Sequence, residues 1–142
     1  MVKNTAASVR QNLLNKSREE KRPFQELLQY YAMERFLYRL SQSPCSDCFT
    51  LKGALMLWAM QGSNSRPTRD IDMLGQTSNE PESILAQVRD IIAAEVTDDG
   101  LRFDADSLKA EAITEDADYQ GLWVTFTGIL DKAKIQMQLD IG

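Results

Sequence analysis

Thr68-Arg69-Asp70-Ile71-Asp72-Met73-Leu74 alternates polar and apolar side chains with a period of two. That alternation predicts a strand, because successive side chains of an extended chain point to opposite faces. It puts Asp70 and Asp72 on one face, with Ile71 and Met73 turned the other way toward a core. Two adjacent carboxylates repel each other, and they stay ionised cheaply only if a cation sits between them or water solvates both. On an exposed edge strand the same spacing is just a polar face, so the pair alone leaves both readings open.

The flanking sequence adds phosphate-handling features. Phe49-Thr50-Leu51-Lys52 reads as a short buried strand, Gly53 follows, and Ala54–Met60 reads as an apolar helix. A glycine at that junction lets the backbone approach a ligand, and the helix N-terminus offers free N–H groups to a phosphate. Arg66 and Arg69 flank the carboxylates, as suits a site that handles polyphosphate together with metal. Downstream, Gln138-Leu139-Asp140-Ile141 ends a later strand with another acid between apolar neighbours. A third carboxylate on an adjacent strand completes an oxygen cage for one or two metal ions. The sequence contains no histidine, which excludes Ser-His-Asp and Cys-His machinery in their usual forms and histidine-ligated zinc. A metal held here is therefore held by oxygen, which points to magnesium, manganese or calcium.

The surrounding pattern predicts an α+β fold, a small mixed sheet covered by helices. Residues 5–20 space Val9, Leu13 and Leu14 as a short amphipathic helix, and Phe24 to Leu40 forms a stronger one after Pro23. A further helix is expected over Glu82–Val96, then turn chemistry at Asp98-Asp99-Gly100. Strands are expected over Leu108–Ile113, Gly121–Leu130 and Ala133–Ile141, with a short turn at Asp131-Lys132. Asp104 and Asp106 read as loop or capping acids, Glu111–Asp118 as a solvated loop, and Trp58 and Trp123 as core.

With 142 residues, 43% of them hydrophobic and 26% charged, the chain suits one ordinary domain. Its formal net charge of -5 is uneven: residues 1–40 hold eight basic and four acidic side chains, the remainder eight and seventeen. An extended nucleic-acid groove leaves a basic footprint, and the body of the chain lacks one. No apolar run approaches the roughly 20 residues needed to span a bilayer, and the polar, basic N-terminus has no signal-peptide character. The expectation is a cytoplasmic protein without membrane contact, in which Cys45 and Cys48 are reduced thiols in a loop.

Phe49 to Leu57 together with Arg66-Pro67-Thr68-Arg69-Asp70-Ile71-Asp72-Met73-Leu74-Gly75 resembles the signature of the AbiEii-type toxin nucleotidyltransferases. Asp99-Gly100-Leu101-Arg102-Phe103-Asp104, Tyr119-Gln120-Gly121 and Leu139-Asp140-Ile141-Gly142 follow in the order of that family. The resemblance runs from about residue 20 to residue 142. It implies a DNA polymerase β-like nucleotidyltransferase fold: a mixed β-sheet flanked by helices, here with an N-terminal helical pair. With the length of the chain, the expectation is a single domain over residues 1–142, with a helical part at 1–45 and a catalytic-type core at 46–142.

On the same resemblance, Asp70, Asp72 and Asp140 are the catalytic acids and the ligands of Mg2+ (or Mn2+). Lys52, Gly53 and Ala54 form the phosphate turn, Arg66 is a phosphate contact, and Thr68 and Arg69 complete the substrate-binding set. The implied activity is transfer of a nucleotidyl group from a nucleoside triphosphate to an RNA or protein acceptor by a toxin that has a cognate antitoxin. Two departures stand out. The family's turn is Gly-Gly or Gly-Ser where this chain has Gly53-Ala54, and family members continue beyond the third acid into a helical C-terminal region. The chain thus reads as the N-terminal portion of a larger protein, or as a naturally shortened relative, that lacks this region. Both departures suit the alternative, a non-catalytic nucleotide- or protein-binding module of the same fold. A third class, a helical interaction protein built on residues 5–40, also remains open.

Overall fold

The computed structural model describes residues 5–44, 49–52, 71–75, 80–116 and 119–141. The expected helix Ala54–Met60, the Cys45/Cys48 pair and the segment from Gln61 to Asp70 lie outside the described residues. Eight elements follow in the order α1 (Thr5–Glu20), α2 (Phe24–Gln42), β1 (Phe49–Lys52), β2 (Ile71–Gly75), α3 (Pro81–Ile92), β3 (Leu101–Asp116), β4 (Tyr119–Leu130) and β5 (Ala133–Ile141). The strands form one sheet in the order β1-β2-β5-β4-β3. The β2–β5 pair is parallel and the other three pairs are antiparallel. This is the expected α+β architecture, a mixed sheet with helices and an N-terminal helical pair.

Along β5 and most of β4 the sheet separates its two faces by alternation. Along β5, Ile135, Met137, Leu139 and Ile141 are at most 1% exposed, whereas Lys134 and Gln136 are exposed. Along β4 the inward positions are Leu122, Val124, Phe126 and Leu130. Two helices cover this inner face. Pro81, whose missing N–H is harmless in a first turn, opens α3, and Ile84, Val88 and Ile91 follow one another on its buried side. From α2, Leu28, Met33 and Phe36 enter the same core. The Phe36 ring lies 6.1 Å from Phe103 and 5.6 Å from Phe126, centroid to centroid, and so ties α2 to β3 and β4. Each such fully buried side chain contributes about 1.5–3 kcal/mol relative to exposure. Helix α1 buries no residue fully, and its Ala6, Val9 and Leu13 pack on the core from outside.

The turn before β3 is anchored by charge. Arg39 of α2, 5% exposed, donates through both terminal nitrogens to the Asp99 carboxylate at 2.9 and 3.0 Å and to the Leu101 carbonyl at 3.0 Å. Arg35 Nε donates to the same carboxylate at 2.7 Å, and the Tyr31 hydroxyl donates to the Asp99 carbonyl at 2.7 Å. Burial pushes the Asp99 carboxyl up, but hydrogen bonds from Arg39, Arg35 and the Leu101 N–H outweigh it and hold it below the usual carboxylate range. Gly100 completes the turn at φ +78°, in the left-handed region that glycine enters freely.

Three expectations are corrected. Helix α3 ends at Ile92 rather than Val96, with Ala93 and Ala94 donating to the Arg89 and Ile91 carbonyls as the helix closes. Strand β3 is far longer than Leu108–Ile113, because Leu101 and Phe103 already alternate inward and pair with Leu130 and Gly128. It also continues through Asp116, so the acidic run from Glu111 to Asp116 is strand rather than solvated loop. A register shift between Asp104 and Lys109 absorbs extra residues. There Asp104 accepts from the Asp106 N–H at 3.0 Å, and the Ser107 hydroxyl accepts from the Thr127 N–H at 2.8 Å.

Candidate metal centre

Ile71, Met73, Leu139 and Ile141 bury themselves on the inner face at 1% exposure or less. By alternation Asp140, between Leu139 and Ile141, falls on the opposite face. Asp72 and Asp140 are register partners across the parallel β2–β5 pair, flanked by the pairs Ile71–Leu139 and Met73–Ile141. Neighbouring strands lie about 4.8 Å apart, so two acids stand side by side in the middle of the sheet. Their surroundings explain why: the apolar residues on either side of each acid fix the strand register, since a slip of one residue would turn an aspartate into the core.

The same transverse row continues in both directions. Lys52 pairs with Asp72 from β1, Trp123 pairs with Asp140 from β4, and Glu111 pairs with Trp123 from β3. The row across the five strands is therefore Lys52, Asp72, Asp140, Trp123, Glu111. Asp140 is half-buried, and Trp123 and Glu111 are exposed. Two carboxylates in adjacent register supply hard oxygen donors, the set that suits a divalent cation such as magnesium. On donor chemistry, the residues present fit the metal.

Of the sequence-predicted site residues, the sheet brings together Lys52, Asp72 and Asp140. Asp70, Gly53, Ala54, Arg66, Thr68 and Arg69 lie outside the described residues. Among the described residues, no group of three or more acids or cysteines is arranged to hold a metal ion. An open cleft of about 510 Å³ lies elsewhere, lined by Arg39, Glu95, Thr97 and Arg102 among others. It belongs to the Leu101–Leu130 end of the sheet, seven residues along β4 from Trp123 and roughly 23 Å from the acids. Trp123 is the residue near the acids that sequence reasoning missed. It was expected in the core, but Leu122, Val124 and Phe126 take the inner positions of β4, and Trp123 is left 38% exposed on the outer face. The period-two pattern of Gly121–Leu130 already carried that signal.

The family model described as nucleotidyl transferase AbiEii toxin, Type IV TA system, matches residues 35–142. No curated protein matches the sequence. Among solved structures the chain is similar to JHP933 from Helicobacter pylori, with 18% sequence identity and a TM-score of 0.48. That similarity covers 83% of this chain and 44% of the other, so the chain spans less than half the length of that structure.

Proposed function

The chain belongs to the AbiEii nucleotidyl transferase toxin family, and from that premise we propose that it carries the metal and triphosphate side of a nucleotidyl-transfer site. Asp72 and Asp140, joined by Asp70, hold Mg2+ or Mn2+. The observation that carries this reading is the pairing of Asp72 with Asp140 across β2 and β5. The cation, when bound, supplies a Lewis acid that offsets charge developing on the phosphoryl oxygens.

The chain's own residues do the rest. Lys52, next to Asp72 in the row, and the turn Gly53-Ala54 bind the β- and γ-phosphates, with Arg66, Thr68 and Arg69 as further contacts. The acceptor's hydroxyl oxygen bonds to the α-phosphorus, the bond from that phosphorus to the pyrophosphate oxygen breaks, and the hydroxyl proton passes to water. The acceptor is an RNA or a protein in the cytoplasm, and a cognate antitoxin restrains the toxin. No helix among the described residues is long and apolar enough to cross a membrane.

The test is a thermal-shift titration with magnesium and a nucleoside triphosphate on wild type and on Asp72→Asn/Asp140→Asn, followed by label transfer to RNA and protein. Stabilisation of wild type alone is expected. Stabilisation by neither metal nor nucleotide would sink the reading. Binding without transfer to either acceptor would instead support a non-catalytic binding module, the reading favoured by alanine at position 54 of the phosphate turn.

A further inference from the structure

Among the described residues, Trp123 and Tyr38 are the large apolar side chains left exposed, each at 38%. Tyr38 is capped by the Arg35 guanidinium, 4.4 Å from its ring centroid. Trp123 instead stands on the outer sheet face in the row of the acids, as the register partner of Asp140. Its same-face neighbours along β4, Gly121 and Thr125, are small, and the indole keeps 38% of its surface exposed.

In-line displacement assigns a side to each reactant. The attacking and leaving oxygens lie on opposite sides of the phosphorus. With Lys52 on the β1 side of the acids, the pyrophosphate leaves toward β1, and the attacking hydroxyl enters from the β4 side, where Trp123 is. Resting on the nucleotidyl-transfer reading above, we propose that Trp123 is the acceptor-positioning residue, stacking the terminal base of a single-stranded RNA so that its sugar hydroxyl faces Asp140.

Three observations favour a nucleobase. Trp123 lies between Asp140 and Glu111 in the row, and an exposed indole face takes a planar group by stacking. A nucleotide carries its base and its attacking hydroxyl on one sugar, which matches the one-strand step from Trp123 to Asp140; a serine or threonine brings no planar group. The body of the chain, with eight basic and seventeen acidic residues beyond position 40, carries little basic footprint for tracking a nucleic-acid backbone. Docking therefore rests on one stacked base rather than on an extended electrostatic track.

The test uses the full chain and a labelled RNA tetranucleotide, with and without an abasic 3′-terminal residue, on wild type, Trp123→Phe and Trp123→Ala. Trp123→Ala should weaken binding about tenfold or more, as loss of a base–aromatic stack does, while Trp123→Phe loses less. The abasic RNA should carry the same penalty on wild type and none on Trp123→Ala. In label transfer, Trp123→Ala should raise the KM for RNA far more than it lowers kcat. An abasic penalty that persists in Trp123→Ala, wild-type affinity in that variant, or transfer to protein with an unchanged KM would each overturn the proposal. The thermal shift with magnesium and a nucleoside triphosphate separates the two levels. If it is present in wild type while the base-dependent coupling is absent, only the role of Trp123 fails. If it is absent, the nucleotidyl-transfer reading fails and takes this proposal with it.

Discussion

Asp72 and Asp140 are register partners across the parallel strands β2 and β5, each between two residues that are buried in the core. The hydrophobic alternation of both strands holds this pairing in place, so the two aspartates are kept at adjacent register positions. Like charges directly opposite on neighbouring strands destabilise a sheet. A cation between them reverses the sign of that contribution.

Asp140→Asn should therefore raise the melting temperature in EDTA, by an amount corresponding to a few tenths of a kcal/mol up to about 1 kcal/mol. The same variant should lose the stabilisation that wild type gains from magnesium. Scanning fluorimetry in EDTA and in magnesium measures both, and a lower melting point in EDTA would show that Asp140 makes a favourable contact without metal.

The pair of Arg39 and Asp99 contributes to the acid limb of the fold's stability. Because Asp99 is held below the usual carboxylate range when folded, its contribution is fully present above the ordinary value near pH 4. That contribution is lost as pH falls through the lower, native-state value. Asp99→Asn should cost about 3 kcal/mol at neutral pH, since it leaves the Arg39 charge buried without its counterion. It should also flatten the acid limb of the stability curve. Urea unfolding at a series of pH values reads both effects.

Gly100 joins α1 to the sheet by leaving out a side chain. A Cβ added there would lie 2.7 Å from the Ala6 Cα and 2.9 Å from the Ala6 nitrogen, at a φ of +78°. Gly100→Ala should destabilise by about 2 kcal/mol or more, combining left-handed strain with the clash. Hydrogen exchange should rise selectively across residues 5–20 as α1 detaches. Uniform loss of protection would mean that the turn, rather than the α1 contact, is what breaks.

Phe36 joins α2 to two strands at once. Phe36→Ala should cost about 3–5 kcal/mol through lost burial and a residual cavity, and Phe36→Leu clearly less. Denaturant midpoints at constant m-value would measure the difference.

Most of the local structure was legible because it follows from short-range chemistry. The strand Phe49–Lys52, the helices starting at Thr5 and Phe24, and the β4–β5 hairpin around Asp131-Lys132 all match their patterns. Asp131 even adopts the left-handed φ of +55° that a short polar turn residue tolerates. Where the reading fell short, a local rule met a tertiary one. Acidic residues argue for loop, yet Asp104, Glu111 and Asp116 sit in β3 because β4 offers a full ladder of backbone partners. Arg39 lies in the last turn of α2. It is buried because Asp99, 60 residues away in sequence, neutralises it.

The candidate site divides along the same line. By itself the sequence determined that oxygen ligands were the option for a metal, that Asp72 and Asp140 each lie between core residues, and which family pattern joins them. These depend on residue identity and on a period of two, which one strand carries alone. Only the tertiary structure decided that β2 pairs with β5 in parallel, bringing Asp72 beside Asp140, and that β4 sets Trp123 on the far side of Asp140 from Lys52. Pairing partner and register belong to two strands at once. They are set by which buried faces pack together under α2 and α3, and no single stretch of chain encodes that choice.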